Sequence, residues 1–165
     1  MAAISDLSSS VKSAINNILK DFPHVEHLRE EQEDCITNLV IGKDDSAILP
    51  TGFGKSSIFQ LLPRVMSSMN EKDDAISTII VVSPFVAIMK DQVEQLNKIG
   101  VSATAIGIDE VDMAKEAAKN GKCKIVYGSP ETWLSKVWRK ELQGAQLGMQ
   151  TVAIAIDEVH SVTEW

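Results

Sequence analysis

The stretch "AILPTGFGKSS", Ala47–Ser57, runs from apolar residues through a glycine-rich turn into a lysine and two serines. It comes within one residue of G-x-x-x-x-G-K-[ST], the pattern of a phosphate-binding loop, with Leu49 in place of the first glycine. Its flanks fit that reading. "DSAILP" before it predicts a short buried strand, and "GKSSIFQLLPRVMSSM" after it predicts a helix in which Pro63 marks a kink or early end. In such a loop Gly52 and Gly54 let backbone N–H groups approach an anion closely. The following helix turns its N-terminal amides and positive dipole end toward the same charge. Lys55 then reaches terminal phosphates as a mobile point charge, and the Ser56 hydroxyl is a ligand for Mg²⁺.

Outward from the loop, helical and strand periods alternate. "LSSSVKSAINNILK", residues 7–20, puts Val11, Ile15, Ile18 and Leu19 on one helical face with serines near the cap. "FPHVEHLREE" turns at Pro23 into a helix from about Arg29 to Val40, ended by Gly42. "STIIVVSP" is an unbroken β-branched run, as in a strand buried on both faces. "FVAIMKDQVEQLNKIG" is a helix stopped by Gly100. "VSATAI" is a strand, "DEVDMAKEAAKNG" a crossover helix capped by Asp109, and "CKIVYGSP" a strand. "ETWLSKVWRKEL" is a helix whose Trp133 and Trp138 pack rather than stack on bases. "LQGAQLGMQ" is a surface loop, and "TVAIAIDEVH" a final strand. This alternation predicts an α/β fold, a parallel sheet joined by right-handed crossovers with helices on both faces.

The last strand ends in "AIAIDEVH". Asp157 and Glu158 thus lie at a strand's carboxyl end, where open parallel sheets bind ligands. Nucleotide hydrolysis needs one carboxylate to hold Mg²⁺ and another group to direct the attacking water. Asp157 suits the first task and Glu158 the second.

Composition bounds the rest. The 165 residues fit one domain, and 44% hydrophobic with 24% charged residues is ordinary for a globular chain. No apolar run is long enough for a membrane helix, and the N-terminus lacks a secretory pattern. Cys35 and Cys123 are far apart and outside any C-x-x-C pair, which argues against a zinc site or disulfide framework and fits a reducing, intracellular setting. A net charge of -7 argues against nucleic-acid binding through a broad basic face. It leaves room for contacts through backbone amides and helix ends.

Five stretches in order, "LREEQ", "LPTGFGKSSIFQLLP", "VVSPFVAIMKDQVEQL", "YGSPE" and "IDEVHSVTEW", resemble the first RecA-like motor domain of superfamily 2 DNA helicases, nearest the RecQ group. They span residues 28–165, leaving 1–27 as an N-terminal helix and lead-in. In that family the loop reads hydrophobic-P-T-G-x-G-K-S, so Leu49 and Pro63 are family features. The resemblance implies an ATP-dependent 3′-to-5′ DNA helicase motor with ATP and Mg²⁺ as cofactors. ATP would be held by Arg29, Gln32, Pro50, Thr51, Gly52, Phe53, Gly54, Lys55, Ser56 and Ser57. Gln32 would read adenine through its amide donor and acceptor. Ser56 and Asp157 would bind the metal, Lys55 and Glu158 would act in catalysis, and His160 would couple nucleotide state to nucleic acid. Ser83, Pro84, Lys90, Ser129 and Pro130 would meet one DNA strand, although a lysine on a solvated face is the default reading of Lys90. Glu131 belongs to the same junction as Ser129 and Pro130.

Val159 stands where family members usually have alanine, and "SVTEW" resembles the start of an aromatic-rich loop. The sequence stops at Trp165, before the family's Ser-Ala-Thr motif. A second RecA-like motor domain is therefore an implied partner, supplying an arginine for transition-state charge. Without it the chain is expected to bind Mg-ATP weakly and not to unwind DNA. The alternatives are a non-catalytic nucleotide-binding module acting through a partner, a truncated gene product, or an RNA helicase motor of the DEAD-box type. Nuclear location follows if the source is eukaryotic.

Overall fold

A computed structural model describes residues 2–23, 25–50, 52–69, 77–108, 116–118, 120, 122–144 and 147–158. The chain forms two compact units, Met1–Ala75 and Ile76–Trp165.

The first unit is helical. Helices α1 (Ala2–Ile18), α2 (Glu30–Val40) and α3 (Lys55–Met69) pack on one another, and a 3₁₀ turn (Leu19–Asp21) follows α1. Val11 and Ile15 of α1 are buried, as the helical period predicts, together with Cys35 and Ile36 of α2 and Ile58, Leu61, Leu62 and Val65 of α3. The serines of α1 lie inside the helix, not at its cap. Ser9 and Ser10 each donate a hydroxyl hydrogen to the Asp6 carbonyl. Pro63 does not end α3, which continues to Met69. Burial of the Leu and Val side chains on either side offsets the roughly 3 kcal/mol that an interior proline costs.

The strand expected over "DSAILP" is absent. Residues 43–50 have no regular secondary structure, and Ile48 is 93% exposed. A strand exists only by pairing, and no described residue pairs with this run.

Cys35 carries a testable consequence of its setting. Burial, reinforced by the Asp45 carboxylate beside it, pushes its thiol up from 9.0 to about 11. The folded state therefore holds the proton above the pH at which the unfolded thiol has lost it. Stability is unaffected below pH about 9 and declines as pH rises toward about 11. Urea midpoints at pH 8 and pH 10 should show this fall, and Cys35→Ala should reduce it.

The second unit holds a four-stranded, all-parallel sheet in the order β2-β3-β1-β4. The strands are β1 (Thr78–Val82), β2 (Ala103–Ile106), β3 (Ile125–Gly128) and β4 (Thr151–Ile156). Helix α4 (Val86–Lys98) links β1 to β2. Helices α5 (Pro130–Leu134), α6 (Lys136–Gln143) and α7 (Leu147–Gln150) link β3 to β4. The step from β1 to β2 crosses the sheet in one direction and the step from β3 to β4 in the other. Right-handed crossovers therefore put α4 and the α5–α7 run on opposite faces. Only residues 116–118 of the expected crossover helix are described as helical, and its Asp109 cap lies outside the described residues.

The run "ETWLSKVWRKEL" forms two helices, not one. Ser135 leaves helical geometry (φ -61, ψ 151), ending α5 and capping α6 through a hydrogen bond from the Trp138 N–H. The break turns both tryptophans inward. Trp133 and Trp138 meet edge to face with centroids 5.4 Å apart, in a core with Ile80, Ile106, Val126 and Leu147. Gly128 belongs to this packing, since a Cβ there would lie 2.6 Å from the Trp133 Nε1. Leu147 is 1% exposed because "LQGAQLGMQ", read as a loop, ends in the short helix α7. At β4 the sheet face is open, with Val152, Ile154 and Ile156 exposed.

Candidate nucleotide and nucleic-acid site

The glycine-rich turn has the backbone its sequence demands. Gly52 and Gly54 take φ of 79° and 78°, the left-handed region that β-carbon-bearing residues avoid. The Phe53 N–H donates to the Pro50 carbonyl at 3.2 Å, closing the turn, and α3 begins at Lys55. The Lys55 ammonium lies within the loop and donates to the Leu49 carbonyl at 3.3 Å. Thr51 lies outside the described residues.

Arg29 and Gln32 come from α2. Arg29 is its N-cap, with extended backbone, and Gln32 is 4% exposed. The Gln32 Oε1 accepts the Arg29 backbone N–H at 2.9 Å. Its Nε2 donates to the carbonyls of Phe53 (3.1 Å) and Gly54 (2.8 Å). Placement between two carbonyls fixes which end of the amide is nitrogen. Both amide hydrogens thus engage the loop. A Cβ on Gly54 would meet that nitrogen at 2.9 Å, so glycine is required there for close approach as well as for its φ. The Arg29 guanidinium carbon sits 3.9 Å from the Phe53 ring centroid, a cation–π contact. Nothing in the spacing of these residues announces that contact; an aromatic residue between the two glycines is its only sequence signal.

In the second unit, β4 delivers Asp157 and Glu158 just past its carboxyl end. The Asp157 N–H donates to the Val82 carbonyl (2.9 Å), and its Oδ1 accepts the Glu158 N–H (3.1 Å). Glu158 has φ 54°, which sequence reading did not anticipate. A non-glycine residue held there is uncommon and costs about 1–2 kcal/mol. His160 and Val159 lie outside the described residues.

Ser83 and Ser129 follow β1 and β3, neighbours in the sheet whose crossovers leave to opposite faces. Their carboxyl ends form the topological switch point, where open α/β sheets bind ligands. The Ser83 N–H donates to the Gly128 carbonyl at 3.1 Å. Its hydroxyl is buried without a hydrogen-bond partner among the described residues. Phe85 caps α4, 47% exposed. Ser129 caps α5, with Pro130 at its first turn, and its hydroxyl accepts the Thr132 N–H. A hydrogen bond from Ser129 holds the Glu131 carboxyl below its usual range. Lys90 is exposed on α4.

A parallel α/β sheet with ligand-ready strand ends and a glycine-rich loop opening a helix defines the class: a nucleotide-binding α/β domain. The profile of the DEAD/DEAH box helicase family matches residues 29–165, and the chain belongs to that family. It is 32% identical over 162 residues to the ATP-dependent DNA helicase Q-like SIM of Arabidopsis thaliana, covering 98% of this chain and 18% of that protein. It is 30% identical over 154 residues to the ATP-dependent DNA helicase RecQ of Bacillus subtilis, covering 90% and 24%. It is 29% identical over 161 residues to the ATP-dependent helicase wrn-1 of Caenorhabditis elegans, covering 96% and 14%. The chain thus spans a quarter or less of these relatives' length.

Proposed function

We propose that this chain is the ATP-binding motor segment of a RecQ-like, ATP-dependent 3′-to-5′ DNA helicase, with residues 28–165 as its first RecA-like domain. The observation that carries the reading is the loop Pro50–Ser57. Its two left-handed glycines and the start of α3 present backbone N–H groups to an anion, with Lys55 at hand. These residues fit a nucleotide's phosphates. Ser56 and Asp157 would hold Mg²⁺, which when bound neutralises phosphate charge. Glu158 directs the attacking water from a carboxylate fixed by an unusual backbone, and His160 couples the result to nucleic acid. Arg29 and Gln32 face the base end, Gln32 mainly as a brace for the loop.

One nucleic-acid strand runs past Ser83, Pro84, Ser129 and Pro130, with Lys90 beyond them. The switch-point position and the unspent Ser83 hydroxyl support this placement. Such contacts use amides and helix ends, which suits a chain of net charge -7. A second motor domain supplies the transition-state arginine and the other half of the strand track. The setting is intracellular, and nuclear in a eukaryote.

The test joins residues 1–165 to the part of Bacillus subtilis RecQ beyond its matched segment and measures ATP turnover with single-stranded DNA or RNA. Stimulation by DNA is expected. Stimulation by RNA alone would favour a DEAD-box RNA motor, and no turnover with intact ATP binding a non-catalytic module.

A further inference from the structure

We propose that Phe53 is a positioning residue that holds Arg29 ready for the nucleobase, so that the loop's aromatic residue sets base recognition, not phosphate binding. The proposal rests on the nucleotide reading above. Phosphate loops hold their anion through backbone N–H groups, so the side chain between Gly52 and Gly54 is free for another use. Here it closes a ring of three contacts. The Arg29 N–H donates to the Gln32 Oε1, the Gln32 Nε2 donates to the Phe53 carbonyl, and the Phe53 ring carries the Arg29 guanidinium at 3.9 Å.

This ring redistributes the work of recognition. Both hydrogens of the Gln32 amide are committed to the loop, one to Phe53 and one to Gly54. Gln32 retains one acceptor lone pair and no donor for a base edge. Arg29 has a planar group with several N–H donors, and its side chain is exposed. It is the donor left at this end of the site. Held flat against the ring on one side, the guanidinium offers its other face and edge to a base without the entropy loss of ordering a long side chain.

The test uses the full chain and two ligands, Mg-ATP and Mg-tripolyphosphate, titrated against wild type, Phe53→Leu, Phe53→Tyr, Arg29→Ala and the double variant Arg29→Ala/Phe53→Leu. Leucine keeps apolar bulk but removes the ring's quadrupole; tyrosine keeps it. Phe53→Leu should weaken ATP roughly three- to tenfold, the size of an exposed cation–π contact, and leave tripolyphosphate within about twofold. Phe53→Tyr should bind ATP like wild type. In the Arg29→Ala background, Phe53→Leu should add nothing, because the contact is already gone. Equal loss of both ligands in Phe53→Leu, or loss of neither, overturns this proposal alone. Wild-type protein that binds neither ligand overturns the nucleotide reading and this proposal with it.

Discussion

Trp133→Ala should lower the free energy of unfolding by about 3–5 kcal/mol, the usual cost of deleting a buried tryptophan. That is a large share of the 5–15 kcal/mol that a domain typically has. The indole is 5% exposed and fills the face of the sheet above Ile80 and Val126. Three local features make the site unable to collapse around the loss. Gly128 leaves room for the ring against the strand, Trp138 meets its edge, and its Nε1 donates to the Val81 carbonyl at 3.3 Å. Trp133→Phe separates the parts. It keeps most of the apolar contact and loses the hydrogen bond, so about 1 kcal/mol is expected. Urea denaturation followed by far-UV circular dichroism reads both variants.

Glu158→Gln, placed in the chimera with the Bacillus subtilis RecQ remainder, should slow ATP turnover by roughly 10²–10⁴-fold, the contribution of a positioned acid–base group. Mg-ATP affinity should hold, because glutamine matches the shape of the carboxylate and the loop is untouched. The backbone supplies a second arm. With φ at 54°, Glu158 is strained in a way glycine is not. Glu158→Gly should therefore raise stability by up to about 1 kcal/mol while losing turnover as badly as the glutamine variant. A gain in stability joined to a loss of activity would show that the strain is kept for function. Unchanged turnover in both variants would remove Glu158 from the mechanism.

The residues that were legible in sequence are those whose signal is local. β1 is written in Thr78–Val82 because a strand buried on both faces needs no alternation. The loop is written in Gly52, Gly54 and Lys55 because its backbone needs glycine and its anion a cation. What was not legible depends on partners. "DSAILP" has the composition of a strand, but composition does not supply the neighbour that makes one. The break at Ser135 was signalled by a serine three residues before Trp138, the spacing of a cap, and was overridden by the helical period of the tryptophans. α7 was hidden by glycines in "LQGAQLGMQ", although burial of Leu147 gives that segment a reason to fold. The Arg29–Phe53 contact and the Gln32 brace join residues more than twenty positions apart, which one-dimensional spacing does not report.

The most direct measurement is an equilibrium titration of the chain with a fluorescent ATP analogue, with and without Mg²⁺, beside Lys55→Ala. The account predicts Mg²⁺-dependent binding that Lys55→Ala weakens by roughly ten- to a hundredfold, the loss of a charge-assisted contact to phosphate. Folded wild-type chain that binds no nucleotide, or binding that is indifferent to Lys55, would contradict it.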